Sequence, residues 1–226
     1  MDSKVTGVNV LYEDNHIIVA IKPAGVLSQS DGSGAPDMLT ILKSYIKEKY
    51  EKPGEVYLGL VHRLDRPVSG VMVFARTSKA ASRLSEQIRL HKVDKIYRCV
   101  VNGVVEGEGR LENYISKDES RNMVTVSDNA KPGFKASYLD YKTLASKDGL
   151  TLVEVKLGTG RSHQIRAQMA YAGHPLIGDQ KYGKRDDRTK DIALEAYKLS
   201  FEHPVKHEFI TFEAPIPSGF PWSLFA

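Results

Sequence analysis

The stretch Tyr57-Leu58-Gly59-Leu60-Val61-His62-Arg63-Leu64-Asp65-Arg66-Pro67-Val68-Ser69-Gly70-Val71-Met72-Val73-Phe74-Ala75 carries the pattern from which the rest of the chain is read. Two β-like runs, 57–61 and 71–75, flank a polar segment, His62 to Gly70, in which Pro67 and Gly70 break regular structure. The polar residues therefore sit on a turn between buried strands. Asp65 stands there between Arg63 and Arg66, and neighbouring cations would keep its carboxylate ionised. Such a group can be a nucleophile, or it can simply pair with an arginine and pin the turn. Local chemistry alone leaves both open.

Upstream, Val8 to Leu11 and His16 to Ile21 are short runs rich in β-branched residues, and Glu13-Asp14-Asn15 between them reads as the turn of a strand pair. Lys22-Pro23-Ala24-Gly25 ends the second strand. Ser28 to Pro36 is a Gly- and Ser-rich loop leading into a helix over Asp37 to Tyr50, with Leu39, Leu42, Tyr45 and Ile46 on one face. Downstream, Thr77 or Ser78 caps a helix to about His91, whose Ala80, Ala81, Leu84 and Ile88 follow helical spacing. A strand over Ile96 to Val101 ends at Asn102-Gly103. β-like runs follow at Arg110 to Ile115, Met123 to Val126, Phe134 to Leu144 and Leu150 to Leu157, and hairpins in succession imply antiparallel pairing. Gly158-Thr159-Gly160 breaks the last of these. A helix over Ser162 to Ala172, stopped by Gly173 and Pro175, and β-like runs at Ala193 to Phe201 and Glu208 to Phe212 complete the pattern. The expectation is an α+β fold: one domain over residues 1–226, with a predominantly antiparallel mixed sheet flanked by helices and loops.

Of 226 residues, 41% are hydrophobic and 27% charged, which supports a buried core and argues against wholesale disorder. No stretch approaches the roughly 20 apolar residues of a membrane span. Met1-Asp2-Ser3-Lys4 lacks the layout of a secretory signal, and the single Cys99 cannot form an internal disulfide, so a reducing, cytoplasmic setting without membrane association is expected. A net charge of +4 admits a nucleic-acid partner. Lysines and arginines gather at 63–66, 92–98, 161–166 and 181–188, which suits a groove that follows phosphates or, equally, a set of solvated basic loops. Seven histidines and one cysteine show no paired metal-ligand spacing, so no metal is expected.

The string His62-Arg63-Leu64-Asp65, followed by Ser69-Gly70, resembles the signature of the RluA-like family of pseudouridine synthases. Four further segments match that family in order. Lys22-Pro23-Ala24-Gly25 is similar to its early Lys-Pro-x-Gly motif, and Lys95-Ile96-Tyr97 through Gly103 to its Lys-x-Tyr strand. Gly160-Arg161-Ser162-His163-Gln164-Ile165-Arg166 matches its Gly-Arg-x-His-Gln-Ile-Arg helix start, and Gly173-His174-Pro175-Leu176-Ile177-Gly178-Asp179 the segment after that helix. One position departs: Val68 stands where the family usually has Thr.

The resemblance implies an isomerase that converts uridine in RNA to pseudouridine without cofactor or metal. It places the catalytic role on Asp65, base stacking on Tyr97, and the basic partner of the aspartate on Arg166 rather than Arg161. His62, Arg63, Arg66, Arg161, His163 and Gln164 are the expected RNA-binding residues; Arg161 suits a phosphate, and His62 suits either an orienting hydrogen bond or an RNA contact. A target uridine would be extruded into the site, which favours loops. The expected partner is a stem-loop of ribosomal or transfer RNA, not DNA, bound by a monomer. The chain opens directly on catalytic-domain strands, so it is expected to be a short form without the S4 RNA-binding domain many family members carry. Two rivals remain: a non-catalytic RNA-binding or ribosome-associated protein on the same fold, and a hydrolase. The hydrolase would need clustered carboxylates, whereas the matched motifs offer one candidate.

Overall fold

The computed structural model describes residues 8–184, 188–189 and 191–226. Its elements in chain order begin with β1 (Asn9–Glu13), β2 (Ile17–Lys22), α1 (Met38–Lys49), β3 (Gly59–Leu60), β4 (Ser69–Ala75), α2 (Ser78–Arg89) and β5 (Asp94–Asn102). They continue with β6 (Glu108–Asp118), β7 (Met123–Ser127), β8 (Lys135–Lys147), β9 (Leu150–Leu157), α3 (Gln164–Tyr171), β10 (Leu194–Glu202), β11 (Phe209–Glu213) and a 3-10 turn at Trp222–Leu224. This is the expected α+β class, with antiparallel hairpins dominating the pairing. The contacts of the chain gather into two units, Met1–Lys95 with Ala196–Ala214, and Ile96–Glu195 with Pro215–Ala226.

In the first unit the strand order is β1-β2-β4-β10, with β3 on β4 and β11 on β10. β2 and β4 are apolar almost throughout because both of their faces are covered, and they pair from Ile17↔Ala75 to Lys22↔Gly70. The turn before β2 is made by Asp14, whose Oδ1 accepts from the N–H groups of His16 (2.8 Å) and Ile17 (2.9 Å). Asp37 caps α1 by accepting from the Thr40 N–H, and Thr77 caps α2 by accepting from the Ala80 N–H. Ile17, Val19, Val71, Val73, Leu84 and Phe201 form this unit's core. The run 57–61, expected as a full strand, is reduced to the two residues of β3. Along β4 one edge is taken by β2, and on the other β10 closes against Gly70, so β3 pairs only with Phe74 and Ala75.

In the second unit the order is β5-β9-β8-β6-β7, all antiparallel neighbours. β8 runs three residues past the expected Leu144 because Asp148 (φ 53°) and Gly149 (φ 74°) form a tight hairpin turn into β9. α3 packs on β6 and β7, and its residues Gln164 through Met169 are all buried. Val100, Leu152, Ile177 and Trp222 fill one core, and Ile115, Val124 and Ala167 a second beneath α3. Of the basic run 181–188, Arg185, Asp186 and Asp187 lie outside the described residues, as do the opening residues Met1 to Lys4. Among the described residues no helix is long and apolar enough to cross a membrane.

Candidate active site

The turn carrying Asp65 is clamped by the loop that follows β2. Val68 donates its N–H to the Asp65 carbonyl (3.0 Å), which closes a tight turn around Arg66-Pro67. Leu64 and Val68 are buried on either side and anchor it, leaving Asp65 half-buried and Arg63 and Arg66 exposed. The valine that departs from the family pattern is thus a core side chain, 3% exposed. Ser28 grips the turn from both directions: the Leu64 N–H donates to its Oγ (3.0 Å), and the same hydroxyl donates to the Leu64 carbonyl (2.8 Å). Gly25 donates its N–H to the Arg66 carbonyl (2.9 Å), while Arg66 Nε donates to the Gly25 carbonyl (3.0 Å).

Lys22 sits at the centre of this clamp. Its side chain is wholly buried, and Nζ donates to the carbonyls of Pro23 (3.0 Å), Val26 (2.6 Å) and Arg66 (3.0 Å), which uses all the protons of an ammonium. Burial pushes its pKa down to about 8; the negative charge of Asp65 pulls it back up and Arg66 pushes it further down. Lys22 and Asp65 therefore share one electrostatic environment, with a buried cation behind the candidate nucleophile.

His62 faces inward as well. Its Nε2 accepts the Val73 N–H (3.1 Å), so the ring proton is on Nδ1; burial, helped by the charge of Lys95, lowers its pKa to about 3. The ring is neutral in ordinary conditions and ties the turn to β4. Gly70 closes the segment at φ +134°, where a Cβ would stand 2.3 Å from the Ala196 carbonyl oxygen. Only glycine lets β10 approach so closely.

The other motif residues lie in the second unit. Tyr97 is on β5 opposite Val155, 9% exposed. His163 is the N-cap residue of α3 in the left-handed conformation (φ 51°), and the helix proper begins at Gln164, two residues later than expected. Gln164 is 2% exposed and its amide ties the preceding loop to β8. Oε1 accepts from Thr159 Oγ1 (2.8 Å) and the Arg161 N–H (3.1 Å), and Nε2 donates to the Tyr138 carbonyl (2.9 Å). That arrangement holds Arg161 and Ser162 out at the surface.

Arg166 is gripped by Asp179, with Nε to Oδ2 at 2.8 Å and Nη2 to Oδ1 at 2.7 Å, a bidentate pair buried at both ends. Burial alone would raise the Asp179 carboxyl, but Arg166 and the N–H groups of Lys181 and Tyr182 outweigh it and hold its pKa below the ordinary value. The Arg166 guanidinium lies 5.3 Å from the Tyr182 ring centre. Tyr182 Oη accepts the Val124 N–H (2.8 Å) and meets His163 Nδ1 at 2.8 Å, so Tyr182 joins both ends of the helix motif, His163 and Arg166.

Sequence reasoning did not assign roles to Ser28, Lys22, Asp179 or Tyr182. Two of them carried a signal, since Lys22 and Asp179 each stand inside a matched motif and each is an ionisable residue in an apolar neighbourhood, where a partner is obligatory. Ser28 looked like any loop serine. Among the described residues, no group of His, Cys, Asp and Glu gathers where a metal ion could sit.

Residues 16–171 match the family model described as RNA pseudouridylate synthase. The chain is 37% identical over 222 residues to the ribosomal large subunit pseudouridine synthase D of Neisseria meningitidis serogroup A, covering 92% of this chain and 58% of that protein. It is 35% identical over 214 residues to the uncharacterized RNA pseudouridine synthase YhcT of Bacillus subtilis, covering 93% of this chain and 69% of that one. The chain thus spans little more than half the length of the Neisseria relative. The solved human RNA pseudouridylate synthase domain containing 4 shares the fold at a TM-score of 0.79 and 22% identity, over 96% of this chain and 91% of that one. With a family model across most of its length and relatives above one third identity, the chain belongs to the RNA pseudouridylate synthase family.

Proposed function

We propose that this protein is an RNA pseudouridine synthase with Asp65 as its catalytic carboxylate, and that residues 1–226 act as one catalytic domain. The observation that carries the reading is the Asp65 turn, held by Ser28, Gly25 and the buried Lys22 inside the segment that matches the family. A turn that only needed pinning would not require a desolvated cation behind an aspartate, because an exposed arginine pair would serve.

In the proposed reaction a uridine is extruded from its stack, at a cost of a few kcal/mol that is smallest in a loop. Asp65 acts at the ribose, either attacking C1′ or first removing a sugar proton, and the N1–C1′ bond breaks. The uracil, stacked on Tyr97, turns so that C5 bonds to C1′, displacing the Asp65 carboxylate in the first route and followed by return of the sugar proton in the second, and the C5 proton is lost as N1 gains one. Atoms balance without redox change, so the reaction asks for no cofactor. Arg166 is the proposed basic partner of Asp65. Arg63, Arg66 and Arg161 are proposed to meet phosphates. His62, His163 and Gln164 would serve RNA binding by fixing the backbone that presents those arginines, in keeping with their inward hydrogen bonds.

For the target, the names of the relatives favour large-subunit ribosomal RNA over transfer RNA. A monomer acting in the cytoplasm completes the proposal. Mapping pseudouridine in total RNA from cells with and without the gene is the test. At least one ribosomal uridine should lose its modification on deletion and regain it with wild-type protein but not with Asp65→Asn. No lost site in either RNA class would overturn the function.

A further inference from the structure

A cleft of about 300 Å³ opens on the second unit where β6 and β7 meet the Arg161-Ser162 turn. Its charged and hydroxyl lining consists of Ser116, Lys117, Glu119, Lys135, Arg161 and Ser162, over a floor that includes Ile115 and Val124. Three cations thus face one carboxylate. Glu119 is already paired with Lys117 at 2.6 Å, and its side chain is 79% exposed. Among the described residues neither Lys135 nor Arg161 has an ion-pair partner. No aromatic ring lines the cleft, so it offers a nucleobase nothing to stack on. What it does offer is concentrated positive charge beside hydroxyl donors, the requirement of a phosphodiester.

We infer that this cleft is a backbone subsite, holding a phosphodiester of an RNA nucleotide other than the reacting one, with Lys117, Lys135 and Arg161 as its cations. Glu119 occupies Lys117 in the absence of RNA and yields to the phosphate. The exchange is easy because an exposed pair of this kind is held weakly and is screened by salt. Gln164 contributes from below, since its bond to the Arg161 N–H fixes the turn that brings Arg161 and Ser162 to the rim. The inference rests on the reading of RNA as substrate and extends it from Arg161 to a defined site on β6 and the start of β8.

The test uses the whole protein and a labelled uridine-containing stem-loop RNA, with dissociation constants measured across a range of potassium chloride. Lys135→Ala should weaken binding several-fold and reduce the slope of log Kd against log salt by about one, the loss of a single phosphate contact. Glu119→Gln should act in the opposite direction, tightening binding by roughly threefold at low salt, because the competitor for Lys117 loses its charge. A loss of fold could not produce that gain. Inorganic phosphate at matched ionic strength should leave the wild-type affinity unchanged; competition would make the cleft a free-anion site and overturn the inference. So would a wild-type slope in Lys135→Ala together with no gain in Glu119→Gln. Pseudouridine formation by the wild-type protein is scored on the same RNA: its absence counts against the enzymatic reading, whereas its presence with Lys135→Ala and Glu119→Gln both binding as the wild type does removes only the subsite.

Discussion

The setting of Asp65 includes a buried cation, Lys22, as well as the two arginines beside it in sequence. Arg63 and Arg66 are exposed, where water and salt weaken their influence, whereas Lys22 is buried with its ammonium on three carbonyls, one of them in the Asp65 turn. Lys22→Met keeps the volume of the side chain but leaves those carbonyls buried without their donor. It should cost about 2–4 kcal/mol of stability and slow pseudouridine formation. Urea unfolding measures the first and single-turnover assays the second; a change below about 0.5 kcal/mol would show that the carbonyls find other donors. His62 teaches a related lesson. Its motif position admits either an orienting hydrogen bond or an RNA contact; the ring nitrogen takes the Val73 N–H, a partner that no spacing rule reveals because it lies eleven positions along.

At the level of elements, the sequence was most informative where local chemistry decides the outcome. Asp37 and Thr77 cap α1 and α2 as their types imply, and the apolar runs of β2 and β4 form strands buried on both faces. It was least informative where pairing partners decide. The 57–61 run has strand composition but finds only the Phe74–Ala75 end of β4 open, and β8 is prolonged by the Asp148-Gly149 turn and its ladder to β9. Gly70 belongs to this second class: its need for glycine comes from β10, more than a hundred residues away. Gly70→Ala should destabilise the protein by about 3 kcal/mol or more, because the clash is with backbone atoms that cannot step aside. Gly25→Ala, at φ +83° with open space around its Cβ, should cost only about 1 kcal/mol. Thermal unfolding of the two variants side by side checks the contrast; equal losses would mean that positive φ, not close approach, is what Gly70 supplies.

For the whole molecule, family membership was legible from five short motifs, because each binds chemistry to a fixed local geometry: the Asp65 turn, the Lys22 loop, the Tyr97 strand, the Arg166 helix and the Asp179 segment. The supports around them were not, since Ser28 on Leu64, Tyr182 under Arg166 and the bidentate grip of Asp179 arise only once the chain is folded. The central claim is that Asp65 makes the chain an isomerase of RNA uridine. Release of tritium from RNA labelled at uridine C5 tests it most directly, because that proton leaves only when C5 has bonded to the sugar. Wild-type protein should release tritium, and Asp65→Asn, with RNA affinity and thermal stability retained, should do so at least about a thousandfold more slowly. Release by Asp65→Asn within about tenfold of wild type, or none from the wild-type protein on ribosomal and transfer RNA alike, would contradict the account.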